Sequence, residues 1–174
     1  MSWIWPCPEA GLTTVSWLSH MKDLSRLNLW GNRIEDLTPL AALPNLEWVD
    51  LRDNAISDVG PLARKEKLSK LFLAENRIAD VASLEALLAL EWLVLDANEI
   101  ESIEPLTELP KLLNLSVTNN RVGYKNWPET SQILGLLEKA EVQVHFAPQK
   151  PLSVYAETPG SKLDQADPDA EVMS

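Results

Sequence analysis

Two pairs of residues in this sequence have side chains that carry out chemistry in other proteins, namely Asp50 with Asp96 and His20 with His145. Two carboxylates about 5 Å apart act together in retaining glycosidases, but these two fall in different columns of the sheet predicted below. Neither histidine has a Cys or a second His at ligand spacing. We therefore predict a protein that is not an enzyme, with no cofactor and no metal.

A repeated tryptophan points to binding instead. The segment LEWVDLRDNAI at residues 46–56 returns at residues 90–100 as LEWLVLDANEI, so that Trp92 takes the place of Trp48. In both copies the Trp alternates with apolar residues, which is typical of a strand with one buried and one exposed face. Exposed tryptophans are common among the residues that dominate protein interfaces. This position is therefore a candidate binding site.

Composition and charge exclude several classes of partner. The chain has 174 residues, of which 45% are hydrophobic, and this suits a single globular domain. A net charge of −11 argues against nucleic acid and anionic membranes, since both select basic proteins. The single cysteine excludes an intrachain disulfide. The N-terminus MSWIWPCPEAG does not resemble a secretory signal, and no apolar run is long enough to span a membrane. We expect a soluble, cytoplasmic protein.

A period of 22 residues organises the sequence. Full repeats occupy residues 24–45, 46–67, 68–89 and 90–111, residues 2–23 form a degenerate first repeat, and residues 112–147 form a capping repeat. Seven of the eight repeated positions are apolar, with Lys65 as the single exception, and the eighth is an asparagine. In the first full repeat these positions are Leu24, Leu27, Leu29, Asn32, Ile34, Leu37, Leu40 and Leu43.

The repeated asparagines are expected to be structural. Each marks the turn after a strand, where its amide can bridge backbone groups of adjacent repeats that would otherwise be buried without partners. One repeat buries too little apolar surface to fold alone, whereas stacked repeats share their faces. The pattern therefore predicts a solenoid in which neighbouring repeats pack directly on one another.

These residues resemble the 22-residue class of leucine-rich repeat that is seen in internalins and in a regulator of a type-1 protein phosphatase. The resemblance covers about residues 2–147. It implies an α/β solenoid with a concave parallel β-sheet and convex extended or 3₁₀ segments, which Pro39, Pro61 and Pro105 suit because those segments need few backbone donors. It also implies a binding scaffold without activity of its own. The phosphatase regulator suggests an alternative, an inhibitor or regulator of a partner enzyme.

Both ends of the chain depart from the repeat. An amphipathic stretch over Ile133–Ala140 predicts a helix, and VQVHF predicts a final strand. This helix–strand cap resembles that of bacterial leucine-rich repeat proteins. Residues 148–174 have few large apolar residues and an acidic end, so we expect a flexible tail, with a docking segment at Leu152–Tyr155 as the alternative. In the first strand, Cys7 is expected to be buried, and Pro6 and Pro8 are expected to remove backbone donors from the open sheet edge.

Side chains between the repeated leucines should point out of the concave face in three columns. The first column holds Arg26, Trp48, Lys70, Trp92 and Asn114, the second Asn28, Asp50, Phe72, Val94 and Ser116, and the third Trp30, Arg52, Ala74, Asp96 and Thr118. From these columns we predict an aromatic binding surface with charged residues around and within it. Its residues are Trp30, Trp48, Asp50, Arg52, Lys70, Phe72, Trp92, Val94 and Asp96.

Three interpretations of this surface remain open. The favoured one is recognition of a partner protein by a monomeric module, although dimerisation through the concave face would also cover the aromatic residues. A carbohydrate is the alternative ligand. In a third interpretation, Trp48 and Trp92 pack on Lys70 by cation–π contacts and only cover the sheet. On the convex side, Lys65 lies in the basic segment ARKEKL, where a solvated loop is expected.

Overall fold

The computed structural model describes residues 3–6 and 8–147, with the backbone alone described for residues 3–6. Seven strands form one parallel sheet in sequence order, as the sequence predicted. The strands are β1 (Trp3–Pro6), β2 (Leu24–Asn28), β3 (Trp48–Asp50), β4 (Lys70–Phe72), β5 (Trp92–Val94), β6 (Asn114–Ser116) and β7 (Gln143–His145). Five 3₁₀ helices lie between the strands, at Ser16–His20, Thr38–Ala42, Gly60–Leu62, Ala82–Ala86 and Glu104–Glu108.

The strand register follows the 22-residue period of the sequence. Residues at the same position of successive repeats lie opposite one another, so that Arg26 pairs with Trp48, Trp48 with Lys70, and Lys70 with Trp92. The last pair departs from this spacing because the cap is inserted between its strands, and Asn114 pairs with Gln143. The first two columns predicted from the sequence are therefore columns of the sheet, and the residues of the third column follow directly after the strands.

The core fills the space between the sheet and the 3₁₀ helices. The inward residues of strands β2 to β6, such as Leu71 in β4, and the leucine of each 3₁₀ helix, such as Leu84, are completely buried. Pro39, Pro61 and Pro105 lie in the first turn of their 3₁₀ helices, where no backbone donor is required. The predicted convex role of these prolines is confirmed.

An asparagine ladder joins the turns that follow the strands. Asn98 is fully buried, and its Nδ2 donates to the carbonyl oxygens of Leu95 and Leu73, each at 2.9 Å. Its Oδ1 accepts a 3.0 Å hydrogen bond from the amide of Ile78 in the preceding repeat. Asn54 and Asn76 repeat these three contacts, and the bridging role predicted for the asparagines is confirmed.

The residue before each of these asparagines adopts a left-handed backbone. The φ angle is between 51° and 69° at Gly31, Asp53, Glu75, Ala97 and Asn119. Only the first of these is glycine, although the left-handed region disfavours other residues. The side-chain amide of the neighbouring asparagine forms hydrogen bonds on both sides of the turn, and these keep the residue in this strained conformation.

Lys65 departs from the prediction of a solvated loop. Its side chain is only 1% exposed and fills the position that Leu43 and Leu87 occupy in neighbouring repeats. The aliphatic part of the side chain packs in the core, while Nζ donates to the carbonyl oxygen of Ala41 at 2.9 Å. Burial lowers the pKa of Lys65 below its ordinary value of 10.5, and the positive charge of Lys22 lowers it further.

A helix and a strand close the C-terminal end of the stack. The helix α1 (Trp127–Lys139) begins six residues earlier than predicted and ends one residue earlier. The added first turn contains Pro128, whose missing backbone donor costs nothing at that position. Ile133 and Leu137 face the core, and the predicted final strand is confirmed as β7. No helix in the described part of the chain is long and apolar enough to cross a membrane.

Some predictions concern parts of the chain outside the described residues. The burial of Cys7, the flexibility of residues 148–174 and docking by Leu152–Tyr155 therefore stay predictions. Pro6 lies in the edge strand β1 opposite Asn28, whereas Pro8 lies in the turn that follows, so the prediction that Pro8 belongs to the strand was wrong. Protection of the sheet edge by Pro6 stays a prediction.

Candidate functional site

The middle of the concave face carries a run of aromatic side chains. Trp48 and Phe72 lie on the neighbouring strands β3 and β4, with ring centroids 5.7 Å apart and a 52° angle between their planes. Both are half-buried, whereas Trp92 on β5 is 41% exposed. We call Trp48, Phe72 and Trp92 the aromatic patch. Val94, half-buried, pairs with Phe72 and continues the patch toward the C-terminus.

Trp30 lies apart from this group, just after the end of β2. Its side chain is 38% exposed, and the register places it in the third column rather than beside Trp48. Its backbone amide is held by Asn28 Oδ1 at 3.1 Å. Trp30 therefore belongs to the rim of the concave face, as the sequence indicated.

Each ring of the aromatic patch is covered by a cation from the preceding strand. The Arg26 guanidinium lies 5.2 Å from the Trp48 ring centroid and the Lys70 ammonium 5.9 Å from that of Trp92. The Arg52 guanidinium lies 5.6 Å from the Phe72 ring centroid. These distances fall in the range of cation–π attraction, which fixes the orientation of the rings.

Arg26 is the residue that sequence reasoning left out of the site. In one of the open interpretations, Trp48 and Trp92 both pack on Lys70, but Lys70 covers only Trp92, and Arg26 covers Trp48. The signal was present in the sequence, because Arg26 precedes Trp48 by one repeat just as Lys70 precedes Trp92.

Asp50 lies beneath the surface rather than on it. Its side chain is 2% exposed and accepts two hydrogen bonds from the Arg52 guanidinium, at 2.9 Å and 2.6 Å, and a third from the Arg52 amide at 3.2 Å. The hydrogen bonds to Asp50 are the main reason that the pKa of Arg52 is raised. Asp50 thus acts on the surface by holding Arg52 over Phe72, and not as an exposed charge.

Asp96 is also engaged within the protein. Its Oδ1 accepts hydrogen bonds from Ser116 Oγ at 2.7 Å and from the amide and hydroxyl of Thr118 at 2.7 Å and 2.8 Å. Its side chain is half-buried, so it contributes a fixed carboxylate to the C-terminal side of the face. Asp50 and Asp96 therefore have separate hydrogen-bond partners, Arg52 for the first and Ser116 with Thr118 for the second.

Comparisons with known proteins agree with this geometry. A family model described as Leucine-rich repeat matches residues 12–134. No curated protein sequence matches the chain. Among solved structures, internalin C2 of Listeria monocytogenes is 29% identical with a TM-score of 0.69, and the match covers 78% of this chain and 57% of the internalin.

Two further structures share the same architecture. A second Listeria monocytogenes internalin, inlF, is 25% identical with a TM-score of 0.62, over 89% of this chain and 52% of its own. A leucine-rich repeat protein of Leptospira interrogans has the same fold at 21% identity and a TM-score of 0.60, over 78% of this chain and 40% of its own. The chain spans just over half the length of the two internalins. It belongs to the leucine-rich repeat family, and its structure is similar to those of the two internalins.

Proposed function

We propose that the chain binds a partner protein through its concave face, with the aromatic patch at the centre of the contact. Leucine-rich repeat domains generally mediate protein–protein interaction and are typically non-catalytic. The observation that carries the proposal is the exposure of the patch. Trp92 is 41% exposed beside the half-buried Trp48–Phe72 pair, on a face ringed by charged side chains. Contiguous exposed apolar surface of this kind usually marks an interaction site.

The rigidity of the patch favours binding. Tryptophan and phenylalanine have few rotatable bonds, and each ring is held by a cation from the neighbouring strand. A partner therefore meets side chains whose conformational entropy is largely lost before contact, and this lowers the free-energy cost of association. Asp50 adds to the effect because its two hydrogen bonds fix the guanidinium that covers Phe72.

The cation contacts also favour a protein over a carbohydrate. A sugar bound by an aromatic residue stacks on the face of the ring. One face of Trp48 is covered by Arg26, and Trp48 also contacts Phe72. One face of Trp92 is covered by Lys70. Each ring therefore offers a ligand one face fewer for stacking, together with a neighbouring charge, which suits the mixed side chains of a polypeptide.

Removal of the two tryptophans should abolish recognition. We expect the Trp48→Ser/Trp92→Ser variant to bind the partner about tenfold more weakly or worse, because buried tryptophans dominate the energy of many interfaces. The measurement is a pull-down from cell lysate with the immobilised full chain, read by mass spectrometry, followed by titration of each protein retained. Circular dichroism of the variants checks that the solenoid is intact.

The matched control is Trp127→Ser. Trp127 is 56% exposed at the start of α1, away from the concave columns, so the change removes a tryptophan of similar exposure. Partners should be retained by the wild type and by this control and lost with the double variant. If all three baits retain the same proteins, the concave face is not the binding surface.

A further inference from the structure

The first column, which contains Trp48 and Trp92, carries two cations that have no carboxylate partner in the described part of the chain. Arg26 and Lys70 are both exposed, and neither takes part in the ion pairs formed among residues 8–147. Their contacts are with the rings of Trp48 and Trp92. A cation–π contact orients a cation without neutralising it, so both charges remain available to an incoming anion.

The carboxylates of the concave columns do not offset these two charges locally. Asp50 is buried and forms an ion pair with Arg52, so these two charges neutralise each other. Asp96 is held by the donors of Ser116 and Thr118, in a different column and nearer the C-terminal cap. In a chain with a net charge of −11, the centre of the concave face is therefore locally positive.

The acidic residues nearest to this column lie at its edge. Glu47 and Glu91 directly precede Trp48 and Trp92, and both are exposed. Because side chains alternate along a strand, they do not share the column of the tryptophans. The two glutamates would repel a broad acidic surface. A single narrow acidic segment that follows the first column would avoid them.

The spacing of the two cations defines what such a segment must carry. Arg26 and Lys70 lie in one column on strands β2 and β4, two strand spacings or about 10 Å apart. In an extended segment of polyproline type, residues three positions apart lie on the same side at a separation of about 9 Å. Two carboxylates at this spacing match the two cations. Because a polyproline helix has three residues per turn, the side chains between them project to the sides of the column, on one side toward Phe72 in the second column.

We propose that the partner presents a narrow acidic segment with two carboxylates three residues apart and an apolar side chain between them. The carboxylates pair with Arg26 and Lys70, and the apolar side chain projects to the side of the column and packs on Phe72, which contacts Trp48. This inference rests on the proposed function, because it requires the concave face to be the binding surface. Its basis is charge complementarity between an anionic segment and the cationic column of an otherwise acidic protein.

The test is a selection from a displayed library of random peptides of about 12 residues against the immobilised full chain. Clones that also bind the Trp48→Ser/Trp92→Ser variant are discarded, and the remaining peptides are synthesised for fluorescence titration. We expect enrichment of Asp or Glu three positions apart around an aliphatic or aromatic residue. Binding should weaken when sodium chloride is raised from about 50 to about 500 mM, because screening acts on exposed ion pairs.

Charge variants separate the cations from the aromatic patch. Arg26→Gln/Lys70→Gln should weaken the acidic peptides about tenfold or more, while Arg26→Lys/Lys70→Arg should largely restore their affinity. The matched control is Arg33→Gln/Arg77→Gln, which removes two exposed arginines outside the three columns and should leave the affinity nearly unchanged.

The outcomes distinguish this inference from the proposed function. Neutral or basic peptides that still require Trp48 and Trp92 would overturn the acidic segment and leave concave binding intact. A selection without any Trp-dependent peptide would contradict both proposals. Trp-dependent binding to neutral oligosaccharides, or a wild-type dimer that the Trp48→Ser/Trp92→Ser change dissociates in sedimentation, would assign the face to another occupant and overturn the inference.

Discussion

Replacement of Asn98 by alanine is expected to lower the free energy of unfolding by about 3–5 kcal/mol. The side chain is fully buried and bridges two repeats through the carbonyl oxygens of Leu73 and Leu95 and the amide of Ile78. Alanine leaves the amide of Ile78 without its acceptor, and a buried unpaired group costs about 1–3 kcal/mol. The carbonyl oxygens of Leu73 and Leu95 each lose one of two asparagine donors and keep those of Asn76 and Asn120, and each lost hydrogen bond costs about 0.5–1.5 kcal/mol. Urea denaturation followed by circular dichroism measures the change.

Asn114→Ala is the control for this prediction. Asn114 lies in β6 on the concave face, is half-buried and bridges no backbone groups of neighbouring repeats, so its loss should change the free energy of unfolding by less than about 1 kcal/mol. Equal effects of the two substitutions would contradict the prediction that the hydrogen bonds of the asparagine ladder stabilise the packing of one repeat on the next.

Replacement of Lys65 by methionine is expected to raise the free energy of unfolding by about 2–3 kcal/mol. The lysine Nζ has one carbonyl acceptor, Ala41, and its burial removes the water that solvates an ammonium group. Methionine has a similar shape without the charge, and Met21 occupies the corresponding position of the first repeat. Urea denaturation of the two proteins at neutral pH gives the difference.

The same lysine predicts how stability depends on pH. The pKa of Lys65 is below 10.5 in the folded protein and close to 10.5 in the unfolded chain, so unfolding takes up a proton at any pH between the two values. The free energy of unfolding of the wild type should therefore rise through this window. Below the folded pKa both states are protonated, and the destabilisation is fully present. Lys65→Met should lack this rise.

Lys67→Met is the matched control for both measurements on Lys65. Lys67 lies in the same loop, but it is exposed and donates to Asn45 Oδ1 at 2.7 Å. Its substitution should leave the stability and its pH dependence close to those of the wild type. If the wild type and Lys65→Met lose or gain stability in parallel as the pH rises, the ammonium of Lys65 is not the group responsible.

Lys65 and the aromatic patch lie on different faces of the solenoid. It lies on the convex side next to the 3₁₀ helix Gly60–Leu62, whereas the aromatic patch lies on the concave sheet. A substitution there should change stability without changing the surface that we propose for binding. Lys65→Met therefore offers a more stable background in which concave variants can be compared without loss of folding.

The sequence by itself predicted most of the fold and the arrangement of the concave columns. In a solenoid each repeat contacts its neighbours, so contacts distant in the chain recur at a constant separation of one repeat. That is why Trp48, Lys70 and Trp92 could be placed side by side from their spacing, and why the bridging role of Asn98 could be foreseen. Prediction was weaker at the cap, where the period ends and α1 begins earlier than expected.

Only the tertiary structure decided what individual side chains do within this frame. Column membership does not determine a rotamer, so the pairing of Arg26 with Trp48 and the burial of Asp50 beneath Arg52 required the packed sheet. Lys65 is a charged residue at an apolar position, and the prediction of a solvated loop from its charge was wrong. The repeats on both sides hold that position closed, because the stacking of the neighbouring core outweighs the cost of burying one amine.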